Sequence, residues 1–182
     1  PSLHAFLTHR LTDHQNTKLD ECLAVSAPYL HLKAPAGAGK TFVALNMLRQ
    51  LMEKDPNALV LFVARNVALC FFIVRWLARR EPNTLMRLKL LKRLFVLFEP
   101  FHEGPRAVTV RHGRVEVATA QPAEQFALVV VDESHHIYSV PEVRDAVESY
   151  VTGSARRVLV SDVSQSRGWG ARGQYWVGRM ML

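Results

Sequence analysis

Apolar residues follow two rhythms along this chain, short unbroken runs and longer stretches with helical spacing. Tyr29 to Ala34, with His31 and Lys33 among its apolar residues, reads as a first strand, and Ala58 to Ala64, Leu128 to Asp132 and Arg157 to Val160 hold runs of the first kind. They predict strands buried on both faces, as in a parallel sheet. Lys40 to Glu53 carries Ala44, Leu48, Leu51 and Met52 on one helical face, and Val67, Phe71, Val74 and Ala78 repeat the spacing after the second run. Asp55, Pro56 and Asn57 supply the turn between the first helix and the second strand. Strand and helix alternate, which is the rhythm of an α/β fold with a mostly parallel sheet and helices on both faces.

Leu85 to Phe98 is leucine-rich and predicts a core helix, with Lys89, Lys92 and Arg93 sharing one face at i, i+3 and i+4. That basic face either is solvated or meets nucleic acid. Val108 to Val117 predicts two short strands turning at His112 and Gly113, and Pro141 to Tyr150 a short helix opened by proline. No repeat or low-complexity segment occurs before residue 163. The pattern then changes, with Gly168, Gly170, Gly173 and Gly178 interleaved with arginines and aromatic residues. The division expected is a folded domain over 1–165 and a tail or truncated continuation over 166–182. Arginine and aromatic side chains in such a frame are also suited to stacking on single-stranded bases.

The segment Ala34 to Thr41, APAGAGKT, joins the first strand to the first helix. A strand that enters a loop of small residues and then a helix turns successive backbone N–H groups into one concavity, beside the positive end of the helix dipole. Such a nest binds phosphate. Ala36, Gly37, Ala38 and Gly39 form its wall, Lys40 reaches the β- and γ-phosphates and assists catalysis, and the Thr41 hydroxyl ligates Mg²⁺. Ala34 stands where the usual pattern has its first glycine. Asp132 and Glu133 end a run of valines and supply acidic groups at a neighbouring strand tip. Asp132 is the expected holder of Mg²⁺, and Glu133 the group that orients or deprotonates the attacking water.

Composition narrows the partners. The 182 residues are 49% hydrophobic and 21% charged, enough for one domain with a real core. Twenty-three Lys and Arg against sixteen Asp and Glu leave a formal charge of +7, which favours a polyanionic partner. Cys22 and Cys70 lack CxxC spacing and read as packing residues in a reducing compartment. His135 and His136 have no further ligands at metal-binding spacing, and His136 reads as a partly buried packing residue. Val67 to Val74, the longest apolar stretch, is far shorter than a membrane span, so an intracellular protein, cytoplasmic or nuclear, with no membrane partner is expected.

From about Leu11 to Gln165 the sequence resembles the first RecA-like domain of superfamily 1 and superfamily 2 helicases. Ala34 to Thr41 matches their phosphate loop, and Asp132-Glu133-Ser134-His135 their Walker B motif DExH. By the same resemblance Leu11 to Gln15 is the Q motif, whose Gln15 reads the adenine edge. Phe62 to Asn66 takes the place of motif Ia, so Arg65 and Asn66 contact single-stranded nucleic acid; Asn66 is equally suited to capping the next helix. Val158 to Gln165 resembles motif III, with Ser161 in place of the usual glycine. Gln165 then senses the γ-phosphate, Asp162 couples it to the nucleic-acid site, and His135 links the two motifs.

The resemblance implies ATP and Mg²⁺ as ligands, single-stranded nucleic acid as partner, and hydrolysis completed by a second RecA-like domain bearing an arginine finger. That second domain does not fit in the residues after Gln165. The chain starts at proline and ends abruptly, so it is expected to be a piece of a longer protein, completed in cis or by a partner chain. A different class of function fits the same phosphate loop: a regulatory NTPase that switches a protein assembly without moving on nucleic acid. A remnant that keeps the fold without turnover is a third.

Overall fold

Unbroken apolar runs set the centre of the molecule. The computed structural model describes residues 11–120, 125–151, 153, 155–162 and 179–181. Five of its parallel strands are β1 (Tyr29–Ala34), β2 (Leu59–Val63), β3 (Leu94–Leu97), β6 (Phe126–Val131) and β7 (Arg156–Asp162). The hairpin β4 (Arg106–Arg111) and β5 (Arg114–Thr119) extends the sheet antiparallel from β3, and β8 (Arg179–Met181) lies parallel beside β1. The order across the eight strands is β5-β4-β3-β2-β6-β7-β1-β8.

Helices cover both faces. On one side are α1 (Asp13–Ala24), α2 (Lys40–Lys54), α3 (Val67–Arg80) and α4 (Thr84–Leu91); their apolar faces pack with Leu30, Leu32, Val60, Phe62, Val130 and Val160. On the other, the short α5 (Ser134–Ile137) and α6 (Pro141–Glu148) pack Ile137 and Val147 on Leu61, Val63, Val129, Val131 and Leu159. Alternate residues of β2, β3, β6 and β7 feed the two cores, as the pleat requires. The α/β class and parallel sheet are as the hydrophobic pattern predicts. Among the described residues no helix is long and apolar enough to cross a membrane.

Three local readings change. Leu85 to Phe98 is not one helix: α4 ends at Leu91, and Leu94-Phe95-Val96-Leu97 forms β3 beside β2. A fully apolar run carries no period, and this one ends in β-favouring aromatic and branched residues. In α3 the buried face is Cys70, Ile73, Val74 and Leu77, while Val67 is exposed and Phe71 and Ala78 only half-buried. The true stripe, i, i+3, i+4 and i+7, is rotated from the expected one. Helix α1 is not foreseen by the hydrophobic pattern because its residues are mostly polar; it begins with a capping box in which Thr12 and Gln15 exchange side-chain and backbone hydrogen bonds. The hairpin turns at His112 and Gly113, both at positive φ (50° and 73°), as read from the sequence. The 166–182 stretch lies mostly outside the described residues, and its Arg179–Met181 adds the strand β8.

Burial makes one polar network critical. The Arg157 side chain is 3% exposed, and its Nε and Nη2 both donate to Glu148, with the Nη2 contact at 2.6 Å. Tyr138 donates its hydroxyl to the same carboxylate, and burial followed by the nearness of Glu148 pushes that phenol's pKa far up. Glu148→Ala leaves a buried guanidinium without its carboxylate and is expected to cost about 3–5 kcal/mol. Glu21→Ala, which removes only the exposed pair with Lys18, should cost less than about 1 kcal/mol. Urea titrations of both, followed by tryptophan fluorescence, check the contrast.

Candidate functional site

In a parallel sheet the loops that leave the carboxyl ends of the strands share one edge, where ligands of α/β proteins bind. Here that edge gathers the loop after β1, the Asp132-Glu133 pair after β6, Arg65 and Asn66 after β2, and Asp162 at the end of β7. Strand β7 lies between β1 and β6, with Ala34 opposite Asp162 and Val131 opposite Leu159.

The loop from Pro35 to Gly39 enters α2 through two glycines at positive φ, Gly37 (79°) and Gly39 (86°). A Cβ at Gly37 would meet no protein atom within 4 Å, so its wall stays open to a ligand. Gly39 is different: a Cβ there would lie 2.2 Å from Gln15 Nε2. Gln15 Nε2 donates to the Ala38 carbonyl at 2.9 Å, and its Oε1 accepts from Thr12 N at 3.0 Å. One amide therefore closes the cap of α1 and braces the loop. It keeps one N–H and one lone pair, the donor and acceptor that an adenine edge requires.

Lys40 turns back on the loop and donates from Nζ to the carbonyls of Ala34 and Pro35, both at 2.9 Å. Its third N–H is uncommitted by those two bonds. Thr41 Oγ1 donates to Asp132 Oδ2 at 2.9 Å, across 91 residues of sequence. The other carboxylate oxygen of Asp132 accepts from the Glu133 amide at 2.8 Å. Burial raises the Asp132 pKa, against the hydrogen bonds from Thr41 and Glu133, which lower it. A buried carboxylate beside a hydroxyl is a hard-oxygen set suited to Mg²⁺, and a dication would relieve the cost of that burial.

Glu133 has φ of 47°, uncommon for a residue with a Cβ, and its side chain is exposed at the edge. It sits at the N-cap of α5 without using its side chain as a cap. Ser134 Oγ donates to the Val160 carbonyl at 3.0 Å, which binds this turn to β7. His135 is buried, whereas His136 is exposed, so the packing role expected of His136 falls to its neighbour. Ser161, in place of glycine, is 2.6 Å from His31 Nε2 on β1.

The nucleic-acid candidates divide. Arg65 lies at the ligand edge, paired at 2.8 Å with Glu99 and about half exposed. Asn66 caps α3 by accepting from Ala68 N at 2.7 Å. Lys89, Lys92 and Arg93 are not on this edge. They precede β3 and so sit at the opposite end of the strands, and Arg93 donates to the carbonyls of Met52 and Asp55. Gln165 lies outside the described residues. Sequence reasoning missed Arg156, whose Nη2 donates to the carbonyls of Cys22 and Val25 at the end of α1. It also missed Thr12, which the T-x-x-Q spacing signals. Cys22 and Cys70 are buried, and burial pushes their thiols up to about 11 and about 12, as suits packing residues.

Residues 8–159 match the family described as "Type III restriction enzyme, res subunit". The chain belongs to that family. The match spans both Ala34 to Thr41 and Asp132 to His135, and the helicase-like reading of the domain holds. It stops short of Asp162 and Gln165. Among solved structures, the chain is similar to the Pif1 helicase from Candida albicans, with 12% identity and a TM-score of 0.45. The similarity covers 96% of this chain but 40% of that one, so this chain spans less than half the length of that protein. No curated protein matches it.

Gly39→Ala tests the brace. The left-handed conformation costs an L-residue about 1–2 kcal/mol, and the added methyl also displaces Gln15. The variant should melt lower and bind a labelled ATP analogue more weakly. Gln15→Ala alone loses the cap and the brace, and because the double variant lacks the clash, Gly39→Ala with Gln15→Ala should lose less stability than the sum of the two single variants. Thermal unfolding and analogue titration check both.

Proposed function

We propose that this helicase-like domain binds ATP with Mg²⁺, hydrolyses it once a second RecA-like domain completes the site, and couples that cycle to single-stranded nucleic acid. The observation that carries the reading is the Thr41–Asp132 hydrogen bond at 2.9 Å. It brings the phosphate-loop helix and the acidic strand tip together where a triphosphate would lie.

The proposed nucleotide-binding domain is residues 1–165, with Ala36, Gly37, Ala38 and Gly39 forming the phosphate wall. Lys40 exchanges its two loop carbonyls for phosphate oxygens. Thr41 and Asp132 hold Mg²⁺, which when bound offsets charge on the phosphates. Glu133, exposed beside that pair, takes the proton of the attacking water as it adds to the γ-phosphorus and ADP leaves. Gln15 reads adenine with the hydrogen-bonding capacity left to its amide, Gln165 senses the γ-phosphate, and Arg65 contacts the strand.

Lys40→Ala removes a charged donor and should weaken triphosphate binding roughly ten- to a hundred-fold, since bonds to charged groups are worth about 1.5–3 kcal/mol. Titration with a labelled analogue reads this directly, and unchanged affinity would remove the phosphate-loop assignment.

Catalysis of phosphoryl transfer rests on charge stabilisation, and an arginine finger alone is worth about 10³–10⁵ in rate. The 182-residue chain should thus bind ATP yet release phosphate barely above background. Joined to its second domain it should turn over, and Glu133→Gln should then keep binding while abolishing turnover. Coupled phosphate-release assays with and without oligonucleotide test this. Brisk hydrolysis indifferent to oligonucleotide would point instead to a nucleotide-state switch.

A further inference from the structure

The positive charge of this chain is concentrated away from the nucleotide. Residues 75–116 hold ten Lys and Arg and four Glu, which accounts for six of the seven net charges. Two of those glutamates, Glu99 and Glu103, follow the carboxyl end of β3 and so lie toward the nucleotide edge. Arg106, opposite Val96, is on that side too and pairs with Glu103, whereas Lys89, Lys92, Arg111 and Arg114 gather at the other end. Leu94 opens β3, and the register Phe95 opposite Ala107 carries β4 down past that point to its turn at His112 and Gly113. Helix α4 packs against β4. Lys89 and Lys92 are therefore level with the hairpin tip and its Arg111 and Arg114, and all four are exposed. Helix α3 also ends at this edge, with Arg79 exposed in its last turn.

Little nearby cancels these charges. No carboxylate pairs with Lys89, Lys92 or Arg114 among the described residues, and Arg111 is 3.9 Å from the exposed Glu116. Arg87 is held by backbone carbonyls, which are neutral, and Arg93 by carbonyls together with the nearby Asp55 carboxylate, so neither is counted in the patch. The acidic groups at this edge are engaged away from Lys89, Lys92, Arg111 and Arg114: Glu53 lies by Arg49, Asp55 accepts from Asn57 N and acts on Arg93, and Glu81 accepts from Asn83 N.

We propose that this edge, formed by the end of α4 and the tip of the β4–β5 hairpin, is a second nucleic-acid surface that grips the phosphate backbone of a duplex. It rests on the nucleic-acid reading of the domain only for the class of partner. Single strands are held by aromatic platforms as well as charge, and no Phe, Tyr or Trp within 71–116 is exposed. Lys and Arg alone read phosphate, and duplex DNA presents one charge per about 1.7 Å of axis. Leu85 and Met86 are the only large hydrophobic residues exposed on α4, too few to anchor a membrane.

The test compares the full 182-residue chain with two variants, Lys89→Gln/Lys92→Gln and Arg111→Gln/Arg114→Gln. Binding to a blunt duplex, to a single strand and to anionic phosphatidylserine vesicles is measured across a salt series, beside titration with an ATP analogue. Each pair should weaken duplex binding several-fold and lower its log–log salt slope by about 0.9 for every phosphate no longer held, with ATP-analogue affinity unchanged. Arg65→Gln should do the reverse, weakening the single strand and sparing the duplex. An unchanged duplex slope in both variants overturns the proposal, as does equal weakening on single strand and duplex, or binding of vesicles without binding of duplex. The nucleotide reading stands or falls separately, on the analogue titration.

Discussion

The hydrogen bond between Thr41 and Asp132 is the constraint on which the rest of the fold converges. Its partners leave strands that are not neighbours, so β7 must lie between β1 and β6 and must end level with both. Two side-chain contacts hold it there. Ser134 ties the turn after β6 to the backbone of β7, and His31 of β1 meets Ser161 of β7. The Asp132 amide donates to the Val63 carbonyl and fastens the same tip to β2. A slip of one residue in any of these pairings would turn the side chains of that strand to the opposite face and dissolve the site.

The loop's own residues hold its shape. Lys40 spans the Ala34 and Pro35 carbonyls, and Gln15 holds the carbonyl of Ala38. On the proposed reading a triphosphate meets a loop already arranged, with the ammonium engaged by weaker, neutral partners that charged oxygens outcompete. Preorganisation of this kind limits the ordering cost of binding.

Much of this arrangement is legible in the order of the residues alone. The Ala34 to Thr41 loop and the acidic pair stand out because the chemistry proposed for them demands particular residues in consecutive order, and β2 and β6 because burial on both faces leaves them wholly apolar. The misreadings have equally physical causes. Leu94 to Leu97 lacks polar punctuation, so helix and strand look alike until β2 supplies a neighbour. The phase of α3 depends on which face meets the sheet, and its many apolar residues allow more than one choice. Lys89, Lys92 and Arg93 share a surface as expected, but which end of the sheet they occupy follows from the direction of the chain through β3. Helix α1 is amphipathic only weakly, and its value lies in its two ends.

Those ends have a mechanical meaning. Gln15 at the start of α1 holds the phosphate loop, and Arg156 at the base of β7 holds the carbonyls of Cys22 and Val25 at its finish. Twelve helical residues form a rod about 18 Å long between the two points. A rod clamped at both ends cannot let one of them drift alone. The loop from Pro35 to Gly39, the wall proposed for phosphate, is thus moored to the far end of the strand that separates β1 from β6, and a shift at that distant anchorage would bear on the loop through α1.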